Sequence, residues 1–317
     1  MIAAPGTVLV TGGAGFVGAL ACRGLSGRFP SARILAADLR MPESHGIALD
    51  LTDRAATRTV IRDLAPDVVL HLAAQSHVPT AFARPLETWT VNVIGTLHLL
   101  ESLGELGRPT SLIFASTSEV YGRAFASGRP LTEAAPFAPM NPYAASKAAA
   151  DAMVRNAGTD TLHTIVLRLF NHVGPGQRED FVLSAFAAQI ARIEQGLQKP
   201  VLKVGNLDAK RDFLDVRDVV SLYGEIIARR DELPSGSAWN VCSERSRSIS
   251  KALSKLLALS TVDIAVETDP ERVRASEIAE ARGDASALRN TLGWTPSTQW
   301  SATLGAILED WRERIGG

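Results

Sequence analysis

The sequence predicts an α/β fold, a doubly wound parallel sheet with a smaller, discontinuous C-terminal domain, on three observations. Residues 7–18 (TVLVTGGAGFVG) read as a buried strand running through a glycine-rich turn into a helix. Short β-branched strands then alternate with helical stretches as far as Leu169. Small or polar residues cluster directly after successive strands, which places them at the carboxyl edge where such sheets bind ligands.

Each element follows from its residues. Val8, Leu9 and Val10 are too apolar and β-branched for a surface strand. Gly12, Gly13 and Gly15 turn the chain, and Gly18 lies inside the following helix, through Leu25. Gly12, Gly15 and Gly18 leave room for backbone to approach a phosphate, and the helix N-terminus offers unpaired N–H groups and a positive dipole end. Together they predict a dinucleotide pyrophosphate site. Residues 33–37 form a second strand ending at Asp38, where a carboxylate would bind a ribose 2′-hydroxyl and repel a 2′-phosphate. That favours NAD(H) slightly over NADP(H), with Arg40 pulling the other way. Residues 47–51 are a short strand carrying Asp50, and 53–64 a helix capped by Asp53. Residues 68–72 are a buried strand ending in small residues; His71 reads as a satisfied core histidine. Residues 87–106 form one long helix containing Asn92.

Residues 111–115 are the next strand, running into Ser116, Thr117, Ser118 and Glu119. A helix at 143–156 and a sixth strand at 164–169 follow. Beyond Phe170 the rhythm changes, with helices at 181–195, 216–229 and 249–259 and short strands at 201–204, 239–241 and 264–266. Residues 238–242 return to the main sheet. The nucleotide domain is thus 1–172 plus about 210–245, and the substrate domain 173–209 plus about 246–317.

The 317 residues are 46% hydrophobic and 21% charged with net charge −1, which gives no electrostatic argument for nucleic acid or an anionic membrane. Cys22 and Cys242 are far apart without metal or redox spacing and read as reduced core residues. With no apolar run of spanning length and no signal-like N-terminus, the expected setting is cytoplasmic. No metal site is expected.

Tyr143 and Lys147 lie one turn apart on a predicted helix and share a face. A tyrosine is a weak acid–base group at neutral pH, so Lys147 is expected to lower its pKa towards the working range. Thr117 supplies a hydroxyl to hold a substrate oxygen beside Tyr143.

TGGAGFVG, HLAA, STSEVYG and YAASK, in this order and spacing, resemble the extended short-chain dehydrogenase/reductase superfamily, with its Rossmann-type sheet, over essentially the whole chain. AAQSHV, RLFNHVGPGQ, KVGNLDAKRDFLDVRD, WNVCS and VRASE resemble nucleotide-sugar enzymes of the GDP-mannose branch. The resemblance implies that Gly12, Gly15, Phe16, Val17 and Gly18 face the cofactor diphosphate, Asp38 and Leu39 the adenosine ribose, and Asp50 and Leu51 the adenine. It places Leu72, Ala73 and Ala74 along the path to the nicotinamide, with Tyr143 and Lys147 at its ribose. Thr117, Tyr143 and Lys147 form the implied catalytic triad, and Ser76, Thr117, Glu119, Asn171, Lys203, Asn206, Arg211 and Arg274 the implied substrate contacts. The implied reaction is NAD(P)H-dependent reduction of the C4 ketone of GDP-4-keto-6-deoxy-D-mannose. Glu119 leaves a GDP-mannose 4,6-dehydratase as the alternative, then a nucleotide-sugar 4-epimerase. Members of the superfamily pair through two helices, here 87–106 and 143–156, so a homodimer is expected, with Ala144, Ala148, Ala149 and Ala152 small enough for close packing.

Overall fold

The computed structural model describes residues 4–42, 44–272 and 278–316. In chain order it begins with β1 (Thr7–Thr11), α1 (Phe16–Arg28), β2 (Arg33–Asp38), β3 (Ile47–Ala48), α2 (Arg54–Leu64) and β4 (Val68–His71). Then come α3 (Val78–Ala83), α4 (Pro85–Trp89), α5 (Gly95–Gly104), β5 (Thr110–Thr117), α6 (Pro142–Arg155) and β6 (Leu162–Leu169). Next are β7 (Asn171–Val173), α7 (Val182–Glu194), β8 (Val201–Val204), β9 (Lys210–Asp215), α8 (Val216–Ala228) and β10 (Ser237–Val241). The last are β11 (Ser246–Ser248), α9 (Ile249–Leu257), β12 (Ala265–Thr268), β13 (Glu280–Ala281), α10 (Ser286–Leu292) and α11 (Trp300–Gly316).

Seven strands form one sheet in the order β10-β6-β5-β4-β1-β2-β3. Every pairing in it is parallel. From β1 the chain first winds outward through β2 and β3, then returns to β4 and winds the other way. The tips of β1 and β4, paired at Thr11 and His71, therefore flank the point where winding reverses, and a crevice opens there. Alternate side chains of each strand serve opposite layers. Val8, Val10 and Leu70 pack with Leu25 of α1 and Leu222, Tyr223 and Ile226 of α8. Leu9, Val69 and Phe114 pack on the other face with Ile61, Leu99, Leu103 and Val154. A separate core joins Phe186, Ile190, Leu202, Phe213, Leu253, Ile307 and Trp311 from α7, β8, β9, α9 and α11.

Several expectations shift by a residue or two at element ends; three differ more. The helix expected over 87–106 begins at Pro85, whose missing N–H costs nothing at a first turn, and ends at Gly104. Its middle, Thr90–Ile94, is a π-helical segment that turns Asn92 inward. The strand expected over 47–51 stops at Ala48, because Asp50 Oδ1 accepts hydrogen bonds from Thr52 N at 2.8 Å and Thr52 Oγ1 at 2.7 Å and bends the chain. The second sheet, β11-β9-β13 with β7 joined to β9, lies partly in KRDFLD, whose charges hid a strand. Among the described residues, no helix is long and apolar enough to cross a membrane, and no group of three or more His, Cys, Asp or Glu side chains is placed to hold a metal ion.

Candidate active site

The glycine turn sits where β1 meets α1, against the loop leaving β4. Gly12 has φ +72°, and a Cβ there would lie 2.7 Å from Ala73 N, so the two loops touch backbone to backbone. A Cβ on Gly18 would stand 2.0 Å from Gly12 O, so α1 rests directly on the turn. Gly15 caps α1 without a side-chain hydrogen bond, and no acidic residue occupies the first turn. An uncapped, uncountered helix N-terminus reached across bare backbone suits a diphosphate. Asp38 closes β2 beside it, its Oδ2 accepting from Ala14 N at 3.2 Å. These residues fit the diphosphate–adenosine end of a nicotinamide dinucleotide. Leu51 is buried, Asp50 is exposed in its own turn, and Leu39 is 60% exposed. Leu72, Ala73 and Ala74 are half-buried between the turn and α6.

Across the crevice, β5 delivers Thr117 at its carboxyl end, and α6 carries Tyr143 and Lys147 on one face. Asn141 joins the two. Its Oδ1 caps α6 by accepting from Ala144 N at 2.7 Å, and its Nδ2 donates to Glu119 Oε2 at 2.9 Å. Glu119 N in turn donates to Thr117 Oγ1 at 3.2 Å. Burial pushes the Glu119 carboxyl above its ordinary pKa, with Asn141 and the nearby Arg211 guanidinium opposing. Burial also pulls Lys147 down to about 7, against the pull of Asp151. The Lys147 ammonium lies 3.9 Å from the centre of the Phe114 ring.

Tyr143 corrects one expectation. Its pKa is raised, not lowered: burial dominates, the Glu119 charge adds to it, and only the Thr117 hydroxyl works the other way. The phenol is protonated at neutral pH, as a tyrosine of ordinary pKa also is.

Beneath Lys147 lies a polar network that spacing alone did not announce. Asp151, one further turn along α6, pairs with Arg168 of β6 through Nε–Oδ2 at 3.0 Å and Nη2–Oδ1 at 3.1 Å, both side chains being almost wholly buried. Ser116 Oγ donates to the same carboxylate at 2.7 Å, and Arg168 Nη1 donates to Tyr121 Oη at 3.1 Å. Asn92 Nδ2 donates to Ser146 Oγ at 2.9 Å, tying the π segment to α6. The only sequence signals were the four-residue steps from Tyr143 to Lys147 to Asp151, and the Asn-Pro that opens α6. His71 is buried with Nδ1 2.7 Å from Thr11 Oγ1 and Nε2 3.0 Å from Thr96 Oγ1, the satisfied core histidine expected.

The crevice thus brings together Thr117, Glu119, Tyr143 and Lys147, with Arg211 of β9 close enough to Glu119 for each to feel the other's charge. Arg211 Nη1 donates to the carbonyls of Lys210 at 2.8 Å and Ile278 at 3.0 Å. Asn171 is exposed at the start of β7, in register with Phe213 of β9. Ser76, Lys203 and Asn206 are exposed, and Asn206 Oδ1 is engaged by Asp208 N at 2.8 Å. Arg274 lies outside the described residues.

Comparison with known proteins agrees with this geometry. A family model described as GDP-mannose 4,6 dehydratase matches residues 9–305. The chain is 39% identical to the GDP-6-deoxy-D-mannose reductase of Pseudomonas aeruginosa over 251 residues, 79% of this chain and 82% of the relative. It is 34% identical to a GDP-mannose 4,6-dehydratase of Vibrio cholerae, over 78% of this chain and 73% of the relative. The solved structure of the Pseudomonas aeruginosa protein with NADPH superposes with a TM-score of 0.83 at 36% identity, covering 97% of this chain and 99% of that one. The Thermus thermophilus UDP-glucose 4-epimerase with NAD gives 0.83 at 26% identity, covering 96% and 99%. With a family model spanning nearly the whole chain and relatives of this similarity, the chain belongs to the GDP-mannose 4,6-dehydratase family of extended short-chain dehydrogenases/reductases.

Proposed function

We propose that the chain reduces the C4 ketone of GDP-4-keto-6-deoxy-D-mannose to a GDP-6-deoxyhexose, either GDP-D-rhamnose or its C4 epimer. The observation that carries this reading is the similarity to a GDP-6-deoxy-D-mannose reductase, 39% identical over 79% of this chain. A protonated Tyr143 phenol beside the Thr117 hydroxyl can donate the proton that reduction of a ketone requires.

Bound on the glycine turn, NAD(P)H would supply the hydride. Thr117 orients the ketone oxygen, and Tyr143 donates its proton to that oxygen as negative charge develops on it. In its charged form Lys147 steadies the phenolate left on Tyr143, and the Asp151 carboxylate favours that charge. Arg211 and Asn171 are the candidates for the substrate diphosphate, Arg211 because a guanidinium fork matches phosphate oxygens; Ser76, Lys203 and Asn206 are further candidates for substrate contact. Asp38 disfavours a 2′-phosphate by charge, so NADH is the preferred of two usable cofactors. We further propose a nucleotide domain of 1–172 plus about 210–245, a substrate domain from the remainder, and a homodimer.

Glu119 favours a second reading. A buried carboxyl with a raised pKa, next to Tyr143 and held by Asn141, suits the acid–base step of a 4,6-dehydratase. One assay separates the two. Mixed with GDP-4-keto-6-deoxymannose and NADH or NADPH, the reductase consumes cofactor absorbance in proportion to ketone. A dehydratase leaves it unchanged and instead converts GDP-mannose to the keto sugar without added reductant.

A further inference from the structure

Positive charge is concentrated in one groove of a chain whose net charge is −1. Lys210 of β9, Arg245, Ser246 and Arg247 around β11, and Lys251 and Lys255 of α9 line a cavity of about 620 Å³. Glu280 is the one carboxylate lining it, 3.8 Å from Lys210. Among the described residues Arg245, Arg247, Lys251 and Lys255 have no carboxylate within ion-pair distance.

Lys251 stands in the first turn of α9, against the helix dipole, and repels Lys255 one turn on, although Lys255, in the last turn, is favoured by that dipole. Nor are they answering bare amides: Ile249 N donates to Ala209 O at 3.1 Å, Ser250 N to Leu207 O at 3.2 Å and Lys251 N to Ser248 Oγ at 3.4 Å. Side chains are what the groove offers. Arg247 is already fixed in place, its Nη1 donating to Phe213 O at 3.0 Å and Ser243 Oγ at 2.8 Å, its guanidinium 4.8 Å from the Trp300 ring centre. Its Nε and Nη2 have no partner among the described residues. Ser246 Oγ is buried, also without one.

We infer that this groove is an anion site for a compact oligophosphate, of the pyrophosphate or triphosphate class, separate from the crevice at the sheet edge. A pre-positioned guanidinium with free donors, flanked by three unpaired cations, matches phosphate oxygens. The cavity volume falls in the range of small-molecule sites. None of the candidate active-site residues lines it.

The test is calorimetric titration of the intact protein, saturated with NADP⁺ and GDP to fill the crevice, with tripolyphosphate and separately with ATP at low ionic strength. The site predicts one further equivalent bound, weakening as salt rises. A variant carrying Arg245→Gln, Lys251→Gln and Lys255→Gln changes only exposed side chains, and should bind at least about tenfold more weakly with unchanged turnover. Arg245→Lys with Lys251→Arg and Lys255→Arg should retain binding, which separates lost charge from lost fold. Equal binding of tripolyphosphate and ATP identifies the phosphate chain as the ligand; a clear preference for ATP identifies a nucleotide. No further equivalent on the saturated wild type, or the same affinity in the glutamine variant, overturns the site.

Discussion

At the residue scale the chemistry turns on how burial redistributes protons. Tyr143 carries its own, Lys147 sits near 7, and Glu119 is pushed up, all because the crevice strips water from charged groups before any ligand enters. Tyr143→Phe removes the proton and keeps the ring. It should lower turnover at least about 100-fold while cofactor affinity, measured by fluorescence titration, stays within a few-fold. Lys147 also leaves a mark on stability. Its folded pKa of about 7 lies below the ordinary 10.5, so between those values the unfolded chain binds a proton that the folded chain does not. Stability therefore rises with pH through that window. Denaturant titrations should show wild type gaining on Lys147→Met between pH 7 and pH 10; a gap that closes instead would mean the ammonium is better accommodated folded than unfolded. Tyr143, Lys147 and Thr117 were legible in the sequence, because spacing and strand ends place them. The direction of the Tyr143 shift was not: helix spacing shows which groups are near, and only the packed crevice shows that burial and Glu119 outweigh the Thr117 hydroxyl.

Elements convey these side chains by backbone contact. α1 can rest on the glycine turn only because position 18 lacks a Cβ; one there would fall 2.0 Å from Gly12 O. Gly18→Ala should displace the turn, destabilise the fold by about 1–3 kcal/mol and abolish the thermal stabilisation that wild type shows with NAD(P)H. A variant whose melting point still rises with cofactor would mean the diphosphate binds elsewhere. The turn, the strands beside it and Asp53, which caps α2 by accepting from Ala56 N at 3.0 Å, were readable because glycine, β-branched runs and caps act locally. α11 and the second sheet were not. Residues 300–316 gain their buried face of Leu304, Ile307, Leu308 and Trp311 against α7, more than a hundred residues earlier in the chain, and α9, more than forty residues earlier. The strand in KRDFLD hides behind the charges of Lys210, Arg211 and Asp212, which break the apolar alternation.

Across the whole molecule, one stretch of the described residues carries a run of exposed apolar side chains. Phe82, Leu86, Trp89, Ile94 and Leu97 are 63, 80, 40, 41 and 37% exposed along α3, α4, the π segment and α5. Exposed apolar side chains grouped along neighbouring elements fit an interaction face, and Trp89, Ile94 and Leu97 lie within one of the two helices expected to pair copies of the chain. On the other, Ala144 departs from expectation: it is wholly buried in its own subunit and cannot pack against a partner, whereas Ala152 is exposed. Light scattering should give a dimer mass for wild type and a monomer mass for Leu86→Arg with Leu97→Arg; a monomeric wild type at every concentration would remove the dimer. Related chains include a reductase, 4,6-dehydratases and, on the same fold, a 4-epimerase, so the doubly wound sheet alone does not choose among these reactions. The measurement that bears most directly on which of these this chain performs follows deuterium. With cofactor labelled at the transferred hydride position and GDP-4-keto-6-deoxymannose as substrate, the proposed reductase must place deuterium at C4 of a GDP-6-deoxyhexose, one atom for each cofactor oxidised. Unlabelled product, or GDP-mannose dehydrated with no label taken up, would contradict the reduction and make Glu119 the centre of the chemistry.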